Sequence, residues 1–334
     1  MTDAPLIIRD FLNYMETIKG KSKNTIKEYY YDLRTFFRFM KLHKNLASST
    51  TEFDKIIISD IEIEFIKTIS LSDLYEFMSF LSRVRNNKSN SRARKVACIK
   101  SFFNYLSTKS KLLEFNPAAE LESPKNVKRL PKYLNIDESK KLLDVVDGKH
   151  RERDYAIITL FLNCGLRLSE LVSININNIK SDTLTVIGKG NKERTIYLNS
   201  ACLKAIETYM QVRPKDCVKD RNALFLSERK QRISNKTVQF IVKKYITISG
   251  LDPERYSTHK LRHTAATLMY KYGKVDIRAL QQILGHESIS TTEIYTHVDN
   301  SQLKSAVESN PLACVRMDEN IHVDDTYEDI HEEK

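Results

Sequence analysis

One stretch of this chain alternates as a half-buried strand does. Thr183-Leu184-Thr185-Val186-Ile187 and Arg194-Thr195-Ile196-Tyr197-Leu198 are β-rich runs around Gly188-Lys189-Gly190-Asn191-Lys192. Two such runs about a glycine-rich tip predict a hairpin. Almost everything else repeats at helical spacing. The expected fold class is therefore mainly α with a small β-hairpin or sheet. The tip is no P-loop, because G-x-x-x-x-G-K-[ST] is absent. It does carry Lys189 between two glycines, where a lysine reaches a phosphate from outside. Taken alone, the plainer reading of Lys189 is a surface-turn residue.

Residues 5–110 read as helices. Ile8, Phe11, Leu12 and Met15 form one apolar face, and Tyr29, Leu33, Phe36, Phe37 and Met40 another. Lys27, Arg34, Arg38 and Lys41 lie on the polar side of the second. Residues 45–70 give no secure assignment. In 86–100, Ser89 or Ser91 is positioned to cap a helix carrying Arg92, Arg94 and Lys95 in its first turns. Basic helix starts of this kind suit contacts to a nucleic-acid backbone. The plainer reading is a solvated helix face.

Pro117, Pro124 and Pro131 then break the pattern, with Lys125, Lys128, Arg129 and Lys132 among them. Proline spacing stiffens a linker. The expected division is a helical DNA-binding domain at 1–112, a basic linker at 113–133, a catalytic domain at 134–317 and an acidic tail at 318–334. A length of 334 residues agrees with two domains, and 41% hydrophobic residues suffice for packed cores. Net charge is +11, although the last seventeen residues hold eight acidic groups and one lysine. The body is thus strongly basic, which points to a nucleic acid or another anionic surface. Five cysteines without a C-x-x-C suggest reduced thiols rather than a disulfide framework or zinc ribbon. The N-terminus lacks a basic, apolar leader pattern. A cytoplasmic, nucleoid-associated location is expected.

The chemistry-bearing residues fall in the second half. Arg167 follows Gly165 at a helix start, with Glu170 three positions on to hold its rotamer. Further along, 258–272 reads as a helix through Leu261, Ala265, Leu268, Met269 and Tyr272, with Thr258 as cap and Gly273 as stop. His259 and Arg262 share a face near its N-terminus, where anions settle. Asp276 to Leu284 reads as a second helix closed by Gly285, which presents His286 on a turn. Ser290 and Glu293 match a capping box for a third, placing Tyr295 early in it.

In order, Arg167, Lys189, His259, Arg262, His286 and Tyr295 resemble the catalytic set of the tyrosine recombinase family, or phage-type integrases. The strings GLRLSEL, VIGKGNKERTIYL, THKLRHTAATLM and QQILGHESISTTEIYTHV carry the likeness, and the Xer site-specific recombinases look most similar. The N-terminal run FLNYMETIKGKSKNTIKEYYYDLRTFFRF is similar to the family's core-binding domain. The longer 45–70 segment and the acidic tail depart from the Xer pattern.

The resemblance implies a C-shaped clamp on double-stranded DNA, with Arg92, Arg94, Lys95, Lys125, Lys128 and Arg129 on the backbone. Tyr295 would form a 3′-phosphotyrosine, with Arg167, Arg262 and His286 on the phosphate. His259 would assist proton transfer, Lys189 would protonate the leaving oxygen, and Glu170 would support Arg167. Neither metal nor another cofactor is implied. Four protomers on two sites would exchange strands through a Holliday junction, alone or with a second recombinase or regulatory protein. The outcome would be chromosome dimer resolution, or integration and excision of a mobile element.

Competing readings are a type IB topoisomerase, a non-catalytic DNA-binding relative and a zinc enzyme using His259 and His263. The two-domain layout and Xer-like strings oppose the first, and the complete residue set opposes the second. The third lacks H-E-x-x-H and places Lys260 and Arg262 where a cation would sit.

Overall fold

A computed structural model describes residues 3–48, 50–124, 132–188, 192–273 and 275–298, the last three by backbone alone. Lys125, Lys128, Arg129, Lys189, Cys314 and the acidic tail lie outside the described residues. The chain divides into two compact units, Met1–Lys128 and Arg129–Lys334.

The first unit holds α1 (Leu6–Thr17), α2 (Lys23–His43), α3 (Ile63–Lys67), α4 (Leu71–Arg83) and α5 (Ser89–Thr108). Helix α2 starts where the Ser22 hydroxyl accepts from Thr25 N–H, and α4 where Ser70 and Asp73 form a capping box. Helix α5 has no side-chain cap; Lys88 stands at that position, ahead of Ser89 and Ser91. The core is aromatic. Phe36 meets Phe37, Phe77 and Phe103 edge-on, with ring centres 5.0, 5.1 and 6.2 Å apart. Such edge-to-face pairs are favoured by the ring quadrupole.

The unassigned 45–70 segment is a strap bound to α2. Ile58, Ile61, Ile66 and Ile69 enter the core. Arg38 Nε donates to the Ile56 carbonyl at 3.0 Å, and Lys41 Nζ reaches Asp60 at 2.7 Å. Two cations expected on a free polar face are thus engaged in holding the strap.

The stretch expected as linker begins later than 113. Leu113, Ala118 and Leu121 are buried in the first core, and Lys100 Nζ donates to the Ala119 and Leu121 carbonyls at 3.0 Å. Proline spacing hid these three apolar anchors.

The second unit holds α6 (Ile136–Asp144), α7 (Arg151–Cys164), α8 (Leu168–Ser173), α9 (Ser200–Val212), α10 (Asn235–Ile248), α11 (Thr258–Tyr272) and α12 (Ile277–Leu284). Its antiparallel sheet runs in the order β1 (Ile179–Lys180), β2 (Thr183–Ile187), β3 (Glu193–Tyr197). The expected hairpin is β2–β3, in register from Thr183–Tyr197 to Ile187–Glu193. Gly188 N–H donates to the Lys192 carbonyl at 2.8 Å where the strands part.

Helix α7 is buried nearly all round and packs on α9 and α11. It ends at Gly165, in left-handed conformation at φ 58°. A Cβ there would stand 2.9 Å from Leu284 Cδ2, so glycine is required by both torsion and space. Helix α11 is likewise not one-sided: Thr264, Ala265, Ala266 and Thr267 are all buried, whereas Tyr272 is exposed. Among the described residues no helix is long and apolar enough to cross a membrane.

Candidate active site

Glu170 is the hub of the site. Its carboxylate is 1% exposed and faces three arginines. Oε1 accepts from Arg167 Nη1 at 2.7 Å and from Arg194 Nη1 at 2.5 Å. Oε2 accepts from the Arg167 backbone N–H at 2.7 Å and from Arg194 Nη2 at 2.9 Å, with Arg262 Nη1 3.8 Å away. Burial alone would push this carboxyl up. The bonds from Arg194 and Arg167 outweigh that and hold it below its ordinary range.

The two arginines expected to bind phosphate are fixed by backbone oxygens as well. Arg167 Nη2 donates to the Gly285 carbonyl at 2.8 Å. Arg262 donates to the Gly165 and Leu284 carbonyls, both at 2.6 Å. Burial, then the nearby Arg167, brings Arg262 down to about 10. Gly285 is the αL cap of α12, which opens with Asp276 accepting from the Arg278 and Ala279 amides, as expected. A Cβ on Gly285 would lie 2.9 Å from Arg194 Cδ. Beyond it, His286 Nδ1 bonds Thr292 Oγ1 at 2.9 Å. Burial, then Arg262 and Arg167, take His286 down to about 4. A cavity of about 460 Å³ is lined by Arg167, Lys192, Arg194, Gly285 and His286 among others.

The expected third helix is instead two 3₁₀ turns, Ile289–Thr291 and Glu293–Val298. Tyr295 is 1% exposed and packs with Ala266, Leu280 and Leu284. Its hydroxyl is 2.8 Å from Nδ1 of His263. Burial raises the phenol to about 12 against the opposing pull of Arg262. The His263 ring meets that of His259 edge-on, centres 4.6 Å apart. Burial first, then Arg262 and Lys260, lowers His259.

Arg167, Glu170, His259, Arg262, His286 and Tyr295 are thus gathered in one region, while Lys189 falls outside the described residues. Thr258 is the first residue of α11 rather than its cap, which is Ser257.

Two members of the backbone-contact set are engaged within the first unit. Lys95 is buried and bonds Asp32 at 2.6 Å, and Arg94 is paired with Asp32 at 2.6 Å and Glu28 at 3.0 Å. A buried carboxylate on α2 draws these cations inward, so they hold α5 to α2. Arg92 bonds the Ser82 hydroxyl. The basic turn at 229–232 is partly structural too. Arg232 reaches Asp220 at 2.8 Å and the Val172 and Ile174 carbonyls at 3.1 Å.

Two functional candidates were missed. Arg194 shares its strand face with buried Ile196, and a cation on an inward face signals a buried partner. His263 was weighed only as a metal ligand beside His259.

A model of the phage integrase family matches residues 132–302. The chain belongs to that family. It is 60% identical over 309 residues to the tyrosine recombinase XerC of Caldanaerobacter subterraneus subsp. tengcongensis, covering 92% of this chain and 88% of that protein. It is 35% identical over 305 residues to the tyrosine recombinase XerD of Listeria monocytogenes serotype 4b, covering 89% of this chain and 96% of the other. The XerH recombinase bound to its palindromic difH substrate, in a post-cleavage complex, has the same fold. That match has a TM-score of 0.68 at 22% identity and covers 91% of this chain and 95% of that one. The chain is a tyrosine-type site-specific recombinase, most like the Xer members of the family. The topoisomerase-like and non-catalytic readings are not favoured.

Proposed function

We propose that Tyr295 attacks a DNA phosphodiester, forming a 3′-phosphotyrosine and a free 5′-hydroxyl, and that Arg167 and Arg262 stabilise the transition state. The observation that carries this reading is the mounting of both guanidinium groups on carbonyls of the Gly165 and Leu284–Gly285 turns. Cations fixed before the reaction cost no reorganisation during it, and each donor of this kind is worth roughly 10²–10³-fold in rate. His286, neutral near pH 7, retains Nε2 for a phosphate oxygen. His259 assists proton transfer around the tyrosine, and Glu170 holds Arg167 in place. The energy of the broken bond is kept in the phosphotyrosine, so religation needs no nucleotide.

Lys189 is assigned as the general acid for the 5′-oxygen. Its support is its position in the sequence between β2 and β3, one residue after Gly188 and three before Lys192, both of which line the cavity. A positioned acid is worth roughly 10²–10⁴-fold. On a nicked duplex bearing a site selected by the wild-type chain from randomised DNA, Lys189→Ala should be slowed by about that factor. Sulfur in place of the 5′-bridging oxygen makes a leaving group that needs no proton, and should restore the rate to near wild type. A Lys189→Ala chain still slow on the sulfur substrate would refute the assignment.

The recombining assembly is proposed to hold four protomers on two sites, joined by exchange of the segment around Ser301 to Val307. Leu303, Ala306 and Val307 give that segment an apolar stripe. The first unit and the basic segment after it are proposed to grip the duplex. Light scattering on selected DNA checks both statements. A chain ending at Asn300 should occupy a single site normally yet fail to pair two sites, and a chain lacking 1–112 should lose most site affinity. Site pairing by the shortened chain, or full affinity without 1–112, would contradict the respective statement.

A further inference from the structure

We propose that Arg194 is a positioning residue for strand cleavage: it occupies the Glu170 carboxylate and so keeps Arg167 and Arg262 available to the scissile phosphate. This rests on the reading of those two arginines as the phosphate-binding pair. Arg194 stands on β3, opposite buried Val186 of β2. Residues directly opposite share a face of the sheet, so its side chain is aimed inward.

Three successive carbonyls at the end of α12 each take a different arginine. Ile283 O accepts from Arg194 Nε at 3.1 Å, Leu284 O from Arg262 Nη2 at 2.6 Å and Gly285 O from Arg167 Nη2 at 2.8 Å. Arg194 also packs against the turn itself. A Cβ on Gly285 would stand 2.9 Å from its Cδ and 3.2 Å from its Nε. The base of the hairpin is thereby tied to the turn that seats both phosphate-binding cations.

The carboxylate explains why a third arginine is needed. An ionised carboxylate offers about four acceptor positions. Arg194 takes one on each oxygen, through Nη1 and Nη2. Arg167 takes the others, through its backbone N–H and Nη1. Glu170 is therefore filled, and Arg262 Nη1 stands off at 3.8 Å. Without Arg194, one position on each oxygen falls vacant beside Arg262. An ion pair closed there, in a buried setting that strengthens it, must be broken before the phosphate is gripped. Arg194 commits all three of its nitrogens to protein acceptors, so it acts through these partners and not on the DNA.

The test uses the full chain and the nicked duplex bearing the selected site, with single-turnover adduct formation, site affinity and melting temperature read for each variant. Arg194→Gln should slow the adduct by roughly 10–100-fold, the range seen when a group that orients a metal ligand is removed. Site affinity should stay close to wild type. Arg194→Lys, which keeps the charge but bonds one oxygen, should fall between the two. The deciding arm adds Glu170→Gln to Arg194→Gln. Neutralising the vacated carboxylate releases Arg262 and Arg167, so the double variant should form adduct several-fold faster than Arg194→Gln alone. A merely structural role for Arg194 gives the opposite order, because the double variant has lost more of the buried network. The sulfur substrate should leave the Arg194→Gln defect in place, since the leaving group is not at fault. A rate for Arg194→Gln within two-fold of wild type would overturn the proposal. So would a double variant no faster than Arg194→Gln, a rescue by sulfur, or a defect carried by site affinity alone. If Arg194→Gln does not fold, Arg194→Lys with and without Glu170→Gln decides by the same order. A wild-type rate for Arg262→Ala would instead remove the phosphate-binding assignment beneath it.

Discussion

Tyr295→Phe should bind a selected site as tightly as wild type and yield no covalent adduct. The phenyl ring keeps the packing of Tyr295 against Ala266, Leu280 and Leu284, so the pocket stays filled. What disappears is the hydroxyl, and with it the nucleophile. The stability cost is small by comparison. One hydrogen bond to His263 is lost, worth about 0.5–1.5 kcal/mol. A nicked duplex traps the wild-type adduct because the short 5′-fragment diffuses away. On a denaturing gel the variant lane should show free protein only, while a native gel shows an undiminished shifted complex. A shifted band surviving denaturation would end the assignment.

Glu170→Ala should be the most damaging single change to the fold of the second unit. Removing a buried carboxylate that neutralises cations leaves uncompensated buried charge, at a cost of about 3–5 kcal/mol. Arg194 carries most of that penalty, being 11% exposed as a side chain and bonded to both carboxylate oxygens. Arg167, at 32%, is partly screened by solvent. Glu170→Gln keeps the shape but not the charge, and should rank between wild type and alanine. Urea denaturation of the three chains gives the order. The pH dependence has a fixed sign. The Glu170 carboxyl is held below its ordinary value of 4.5 in the folded chain. Its stabilisation is therefore complete above that value and fades as pH falls through the lower folded one. Wild type should lose stability over that acid window, and Glu170→Gln should lack this contribution. Equal stability of wild type and Glu170→Ala at pH 7 would show that the arginines do not need the carboxylate.

What the sequence disclosed, it disclosed through short-range periodicity. His259 and Arg262 are one helical turn apart, Arg167 and Glu170 likewise, and Gly285 follows an eight-residue amphipathic run. The hairpin was legible because β-rich runs flank a glycine-rich tip. Long-range pairing was not legible. Lys95 meets Asp32 across 63 positions; its spacing from Ile99, Phe102 and Leu106 puts it on the buried stripe of α5, but nothing local names the partner. Arg194 meets Glu170 across 24 positions, and Tyr295 meets His263 across 32. The nucleophile's turn was misjudged for a related reason. A capping-box pattern records a local preference, but packing of Tyr295 under α11 and α12 settles that segment as 3₁₀ turns.

Gly165 and Leu284 close α7 and α12, so the two oxygens that seat Arg262 belong to the negative ends of two helix dipoles. Each end offers roughly half an elementary charge. Arg262 is therefore stabilised largely by fixed partial charges that cannot swing away, while its carboxylate neighbour stays 3.8 Å off. An anion approaching this guanidinium has no close ion pair to break. The chain thereby presents a buried cation that is stable when empty and still electrostatically hungry.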